Sequence, residues 1–191
     1  SNYRFEPVDR ETIRYGLGAV KGTGEQAVNV ILAAREAGGP FTDLFDFCKR
    51  CDKRLVNRRT IEALIRAGAF DAIDGNRARL LASVGIAMDF AEQAERDAMQ
   101  TSLFDIGDVA AAHAPEYVPV KPWDERTQLM EEKTALGFFF SGHPFNSYKP
   151  GLARFVRRPL ARIEPAKELV VLAGIVVGVR TQMTRRGKML F

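Results

Sequence analysis

Apolar residues recur at helical spacing over most of the first two thirds of the chain. The first apolar stripe consists of Ala27, Val28, Ile31 and Leu32. Its i, i+1, i+4, i+5 spacing predicts a helix that begins near Glu25. Gly38, Gly39 and Pro40 predict where that helix ends, because glycine terminates helices readily and proline cannot continue them.

Two shorter helices are predicted from capping residues that precede apolar stripes. Residues 41–50 form one such helix, with Thr42 or Asp43 as its N-cap. The next begins after Asn57, and its stripe is formed by Ile61, Leu64 and Ile65. A turn at residues 67–70 interrupts it, so the two halves form a helix–turn–helix pair.

A long amphipathic helix is predicted over residues 77–96, with leucine, valine and methionine on its inner face. The periodicity then stops, and residues 97–122 are predicted to be a loop. Residues 123–136 return to helical spacing, and Gly137 is expected to end that last helix.

The pattern changes from helical to β near the end of the chain. Residues 168–183 are rich in valine and isoleucine, which favour strands. The polar segment 184–188 predicts a hairpin turn, and residues 189–191 begin a second strand. Two strands can neither close a barrel nor form a stable sheet, so this β-region is expected to be incomplete.

A glycine-rich turn leads directly into the first predicted helix. Its glycines are Gly16, Gly18, Gly22 and Gly24. Glycine lets the backbone approach a ligand closely, and the unpaired N–H groups of a helix N-terminus attract anions. Lys21 adds a positive charge beside this turn. The pattern predicts a phosphate-binding turn, but it matches neither the Gly-Lys-Thr order of a nucleotide P-loop nor the complete dinucleotide motif.

A second basic cluster surrounds the start of the helix after Asn57. Its basic side chains are Lys49, Arg50, Lys53, Arg54, Arg58, Arg59 and Arg66. A run of charge usually marks a solvated face. Here the cluster lies beside a second helix–turn–helix pair, which favours contact with phosphates.

Charge is distributed unevenly along the chain of 191 residues, whose net charge is +4. Residues 1–72 carry 12 basic and 10 acidic side chains, residues 73–136 carry 6 and 12, and residues 137–191 carry 10 and 2. This segregation predicts polyanion contact at both ends and a different partner for the middle. The apolar run at 169–179 is too short to cross a bilayer, so no membrane partner is expected.

Few residues are candidates for catalysis or metal binding. Cys48 and Cys51 form a C-x-x-C pair, but two cysteines without paired histidines favour small packed side chains over a zinc or redox site. They also favour a reducing compartment. His113 and His143 lack a suitably spaced acid or nucleophile, and His143 is interpreted as structural. No catalytic or metal-ligating residue is therefore assigned.

Three segments, GLGAVKGTGEQAV, GGPFTDLFDFC and NRRTIEALIRAGAFD, resemble the alpha subunit of bacterial DNA polymerase III in its tandem helix-hairpin-helix region. The resemblance implies that two hairpins hold the backbone of duplex DNA. The second, Ala67 to Phe70, lacks the Gly-x-Gly form, which leaves a purely structural role as the alternative for it. The implied DNA-binding residues are Lys21, Gly22, Thr23, Gly24, Arg58, Arg59, Gly68 and Ala69.

The segment QTSLF lies within the predicted loop. It is similar to the pentapeptide with which this family binds its sliding clamp, the beta subunit. The implied clamp-binding residues are Gln100, Thr101, Ser102, Leu103 and Phe104. Two apolar anchors on a tether suit binding in a groove. The alternative is that Leu103 and Phe104 pack back on the domain.

The expected fold is mainly α: a tandem helix-hairpin-helix domain, a helical connector and the first strands of a truncated OB-type β-barrel. The domains are residues 1–96 for DNA binding, with 1–12 as a lead-in from the preceding fingers region, 97–122 for the clamp-binding loop, 123–165 for the connector and 166–191 for the incomplete OB-fold.

The resemblance implies a cytoplasmic fragment of a DNA-directed DNA polymerase that carries no catalytic residues itself. Mg²⁺ is expected at the active site of the parent protein, outside these residues. Implied partners are double-stranded DNA, the sliding clamp, other replicase subunits and, through a complete OB domain, single-stranded DNA. The alternatives are a helix-hairpin-helix module of a DNA repair protein and a structural connector that does not contact DNA.

Overall fold

The computed structural model of the chain describes residues 1–104, 115–156, 160–165, 169–176, 178–183 and 189–190. For residues 100–104, 182–183 and 189–190 it describes the backbone alone. The chain divides into two compact units, residues 1–141 and residues 142–191.

In the described part of the first unit, a short β-ribbon precedes the helices. β1 (Glu6–Pro7) and β2 (Ile13–Arg14) pair antiparallel, and a 3-10 turn at Leu17–Ala19 follows. The helices are α1 (Glu25–Gly38), α2 (Leu44–Arg50), α3 (Arg58–Arg66), α4 (Arg77–Phe104) and α5 (Glu125–Leu136). The mainly α architecture is confirmed, and α1 begins and ends where its sequence pattern predicts.

Side chains at the residues before α2, α3 and α5 satisfy backbone amides that have no partner within the helix. The carboxylate of Asp43 accepts from the Asp46 amide at 2.7 Å, and that of Asp124 accepts from the Thr127 amide at 2.7 Å. The side-chain oxygen of Asn57 accepts from the Thr60 amide at 3.1 Å. These caps fix the helix starts, and those predicted at Asp43 and Asn57 are confirmed.

The core of the first unit lies among α2, α3 and α4. Its fully buried side chains include Leu44, Ile61, Leu64, Ile65, Leu80 and Val84. Phe47 packs edge-on against both Phe41 and Phe70, with ring centroids 4.9 Å apart in each pair. Phe70 stands in the predicted turn between α3 and α4, so the core itself holds that turn in place.

α4 is longer than the sequence pattern predicts. The expected helix ends at Arg96, but the helical backbone continues to Phe104. The Gln93 side chain donates to the carboxylate of Asp97 at 2.7 Å, one helical turn away. The added residues contain no glycine or proline, so the helix continues although the apolar stripe has ended.

The segment that leads into α5 also packs on the first unit. The Tyr117 hydroxyl accepts from the Leu44 amide at 3.0 Å, and its ring lies 5.0 Å from that of Phe45. The Val118 amide donates to the Ser83 hydroxyl at 3.0 Å. Residues 117–118 of the predicted loop are therefore attached to α2 and α4, and α5 belongs to the first unit.

The second unit contains little regular structure in its described residues. It has 3-10 turns at Pro144–Tyr148 and Leu160–Arg162, a short helix α6 (Lys149–Leu152), and the antiparallel strands β3 (Gln182–Met183) and β4 (Met189–Leu190). The described residues from 169 to 181 contain no strand, unlike the predicted β-run, because an extended segment needs a partner to form a ladder. The predicted turn at 184–188 lies outside the described residues.

The helices offer no candidate for a membrane span. None of those in the described part of the chain combines the length and the apolar composition that crossing a bilayer requires.

Candidate nucleic-acid interface

The first predicted hairpin, residues 21–24, forms a tight turn before α1. Gly22 has φ of +86°, which favours glycine. The Thr23 amide donates to the Val20 carbonyl at 3.1 Å, and the Thr23 hydroxyl donates to the same oxygen at 2.5 Å. The Lys21 amide donates to the carbonyl of Ala135 on α5 at 2.8 Å. The turn is thus closed internally and attached to α5.

Several amides around this turn remain available for a ligand. Gly24 caps α1 without a side-chain hydrogen bond, and within the described residues the amides of Gly22, Gly24, Glu25 and Gln26 have no acceptor. Apart from the adjacent residues in the chain, no atom of the described residues lies within 4 Å of where a Cβ would stand on Gly22 or Gly24. Open space, unpaired N–H groups and the positive end of a helix are the conditions that favour anion binding.

The N-terminus of α3 lies beside the first hairpin. The buried Thr60 hydroxyl donates to the Gly22 carbonyl at 3.4 Å. Lys21 and Arg59 are each one residue from this contact, and both are exposed. Arg58 is also exposed but donates to the Glu62 carboxylate at 2.8 Å, whereas Arg59 has no ion-pair partner among the described residues. The structure therefore brings together the first hairpin and the two predicted arginines.

The second predicted hairpin is built differently. Gly68 has φ of +81°, its amide donates to the Ile65 carbonyl at 3.0 Å, and the Ala69 amide donates to the Leu64 carbonyl at 2.9 Å. This pair of bonds is the Schellman arrangement that closes the end of α3. The amides of Gly68 and Ala69 are therefore occupied within the fold, unlike those of the first hairpin.

A buried ion pair covers the second hairpin. A Cβ on Gly68 would lie 2.3 Å from the guanidinium of Arg77, which is only 5% exposed. Arg77 holds the Asp71 carboxylate through two bonds, at 2.7 and 2.5 Å, and donates to Glu132 of α5 at 3.0 Å. The second hairpin thus packs against a guanidinium at Gly68, and phosphate binding by Gly68 and Ala69 stays a prediction.

Glu132 is completely buried, and both of its carboxylate oxygens accept hydrogen bonds. One carboxylate oxygen accepts from Arg77, and the other accepts from the amides of Phe140 at 2.9 Å and Ser141 at 2.8 Å. Burial alone would raise the pKa of Glu132, but these hydrogen bonds outweigh it and hold that pKa below its ordinary value of 4.5. Sequence reasoning missed this residue. Helical spacing predicts its burial, because Glu132 lies three residues after Leu129 and four before Leu136, on the buried face of α5.

Comparison with known proteins agrees with the geometry of this region. Residues 1–80 match the family model described as the helix-hairpin-helix motif. The "DNA polymerase III subunit alpha" of Neisseria meningitidis serogroup B is 49% identical over all 191 residues of this chain, which correspond to 16% of that protein.

Two further relatives carry the same name. The protein of Pseudomonas aeruginosa is 39% identical over 98% of this chain and 18% of its own length, and that of Escherichia coli K12 is 38% identical over 97% and 16%. The chain therefore spans less than a fifth of the length of the curated relatives it matches.

The cysteine pair lies in the core. Cys48 and Cys51 are 3% and 5% exposed, and burial raises the pKa of each thiol from 9.0 to about 12. A metal or redox site needs accessible thiolate, which this environment disfavours. Across the described residues, no group of three or more histidine, cysteine or acidic side chains could hold a metal ion.

Of the remaining candidates, the structure describes His143 and the backbone of residues 100–104. His143 accepts from the Phe145 amide at 3.1 Å and caps the 3-10 turn that follows, a contact in keeping with its structural interpretation. His113 lies outside the described residues. Residues 100–104 form the C-terminal end of α4, and their side chains also lie outside the description. Clamp binding by this segment stays a prediction.

Proposed function

We propose that this chain is the section of a replicative DNA polymerase alpha subunit that binds the backbone of duplex DNA, chiefly through its first hairpin. The observation that carries the proposal is the set of amides at Gly22, Gly24, Glu25 and Gln26, which have no acceptor in the part of the chain that the structure describes and lie beside exposed Lys21. Such a turn can bind phosphate without reading sequence, as a polymerase requires. The matched helix-hairpin-helix motif and the relatives' names support it.

The two hairpins are proposed to have different roles. The first hairpin binds one phosphate through its amides and Lys21. Arg59, with Arg58 beside it, binds a neighbouring phosphate, since the hydrogen bond from Thr60 to Gly22 holds the start of α3 next to this hairpin. The second supports the fold, because the amides of Gly68 and Ala69 are occupied. Glu25 stands in the first turn of α1 with an exposed carboxylate, which limits how strongly an anion is held there.

Titration of a short labelled DNA duplex across a salt series tests this proposal. The log–log slope is expected to be about −0.9 per neutralised phosphate. Lys21→Ala should make that slope shallower by about one. Lys121→Ala is the matched control, because Lys121 is an exposed lysine in the acidic middle of the chain, outside both predicted basic clusters. Absence of binding at low salt, or equal slopes for both variants, would instead favour a structural connector without DNA contact.

A second proposed role concerns the end of α4, where Gln100 to Phe104 would bind the sliding clamp. The support is the QTSLF sequence and its position at the last residues of a helix, next to residues 105–114. Leu103→Ala with Phe104→Ala should abolish clamp binding and leave the melting temperature unchanged. Met99→Ala is the control, since Met99 is 61% exposed and precedes the motif. A melting temperature that falls by several degrees would support packing of these side chains on the domain.

The proposal also covers the polymerase alpha subunit of which this chain would be a section. DNA synthesis, the Mg²⁺ that supports it and contacts with other replicase subunits would lie outside this section. Residues 166–191 would begin an OB-fold that binds single-stranded DNA once its remaining strands are present. The expected compartment is the cytoplasm, where bacterial DNA is replicated.

A further inference from the structure

The last turn of α5 contacts the first hairpin at two points. The Ala135 carbonyl accepts from the Lys21 amide at 2.8 Å. The Cε and Nζ atoms of Lys21 lie 3.3 Å from the position that a Cβ would occupy on Gly137, the C-cap of α5. Both the backbone and the ammonium group of Lys21 are therefore located by the end of this helix, whose negative dipole end favours a cation.

The buried side chain of Glu132 also holds this end of α5 in place. Glu132 lies three residues before Ala135, and its carboxylate joins Arg77 at the start of α4 to the amides of Phe140 and Ser141. A displacement of α5 would break these bonds together. The chain of contacts runs from Arg77 through Glu132 and α5 to Lys21, and each link is a hydrogen bond or a short stretch of helix.

Arg77 extends this chain of contacts to the second hairpin. Its guanidinium covers Gly68 and holds Asp71. The second hairpin is thereby connected to the first, although its own amides are occupied.

We propose that Glu132 is a positioning residue for phosphate binding, which acts by holding α5 where Ala135 and Gly137 place Lys21. This inference rests on the proposed function of the first hairpin. It assigns a role in DNA affinity to a residue that is completely buried and cannot touch DNA. The second hairpin contributes to binding in the same indirect way, through Arg77.

A double-mutant cycle tests this coupling in the whole chain. The proteins are wild type, Lys21→Ala, Glu132→Gln and the double variant, each titrated with a short DNA duplex across a salt series. Glu132→Gln keeps the side-chain shape and removes the charge. The expected result is that it makes the salt slope shallower by about one in the wild-type background and leaves it unchanged in the Lys21→Ala background.

Hydrogen exchange at the Lys21 amide gives an independent readout. Glu132→Gln should speed its exchange relative to the amides of Thr23 and Val28, which donate to Val20 and Gly24. Leu44→Ala is the matched control, since it removes fully buried volume on α2, away from the Glu132 carboxylate and its hydrogen-bond partners. Its effect should be the same at all three amides.

If Glu132→Gln does not fold, Arg77→Lys, which keeps the charge beside Glu132, should give the same changes at smaller size.

The outcomes separate this inference from the proposed function. A normal effect of Lys21→Ala together with an additive effect of Glu132→Gln, or with an unchanged relative exchange rate at Lys21, would overturn the positioning role alone. No effect of Lys21→Ala on the salt slope would overturn phosphate binding by the first hairpin, and the positioning role with it. A non-additive cycle with selective exchange at Lys21 would support both.

Discussion

Arg77 and Glu132 form an ion pair 3.0 Å long in which neither side chain is more than 5% exposed. One residue begins α4 and the other lies in α5, so the pair joins two helices that are distant in sequence. Removal of two charges from water is costly, and it is tolerated here because further hydrogen bonds satisfy both groups. Asp71 serves Arg77 in this way, and the amides of Phe140 and Ser141 serve Glu132.

Removal of one partner should therefore destabilise the first unit strongly. Glu132→Ala leaves the buried Arg77 guanidinium without the Glu132 carboxylate as its ion-pair partner. We expect a loss of about 3–5 kcal/mol in the free energy of unfolding. Glu131→Ala is the matched control on the same helix. Glu131 pairs with Arg66 at a site about a third exposed, so its removal should cost at most about 1 kcal/mol. Urea denaturation of both variants measures the difference, and equal losses would contradict it.

The same carboxylate predicts how stability depends on pH. Since the folded-state pKa of Glu132 lies below its ordinary value of 4.5, its contribution is present above about pH 4.5 and is lost as the pH falls through the folded pKa. Glu132→Gln should therefore lose less stability than wild type between pH 5 and strongly acidic conditions. Denaturation at a series of pH values provides the measurement. Parallel curves for the two proteins would show that another carboxylate controls acid unfolding.

The two glycines with positive φ should respond differently to alanine. Gly22→Ala meets no atom within 4 Å, so only backbone strain of about 1–2 kcal/mol is expected. Gly68→Ala carries the same strain and also drives a methyl group to 2.3 Å from the Arg77 guanidinium, so it should cost more. Thermal unfolding of the two variants compares them directly. A larger loss at Gly22 would contradict the packing described for the second hairpin.

The buried thiols should be unreactive in the folded protein. With pKa values of about 12, Cys48 and Cys51 hold almost no thiolate near neutral pH, and their burial also excludes reagents. Alkylation followed by mass spectrometry should give negligible labelling of the native chain at pH 8 and complete labelling in guanidinium. Rapid labelling of the native protein would indicate that α2 opens readily, and it would revive the redox interpretation.

Local sequence signals predicted most of the helical fold. The caps at Asp43 and Asn57 and the stripe after Glu25 located helix starts well, because capping and amphipathicity act within a few residues. The same local information was misleading at residues 97–104, where the absence of an apolar stripe suggested a loop although no glycine or proline interrupts the helix. Helix propensity and apolar periodicity are separate signals, and α4 continues here without the second.

The predicted site was recovered only in part from sequence. Glycine spacing located both turns, but it could not show that the amides of the second are occupied, since that depends on the conformation after Ala67. Nor could it show that Thr60 would place α3 beside Gly22, or that Glu132 would meet Arg77. These contacts link residues far apart in the chain, and no local pattern encodes them.

The bond between the Lys21 amide and the Ala135 carbonyl also has a consequence for the order of folding. It joins residues near the two ends of the first unit, so it has one of the largest loop-closure costs there. During synthesis the glycine turn emerges early, but its final geometry must wait until α5 has been translated and has docked. We therefore expect the phosphate-binding turn to be among the last parts of this unit to mature.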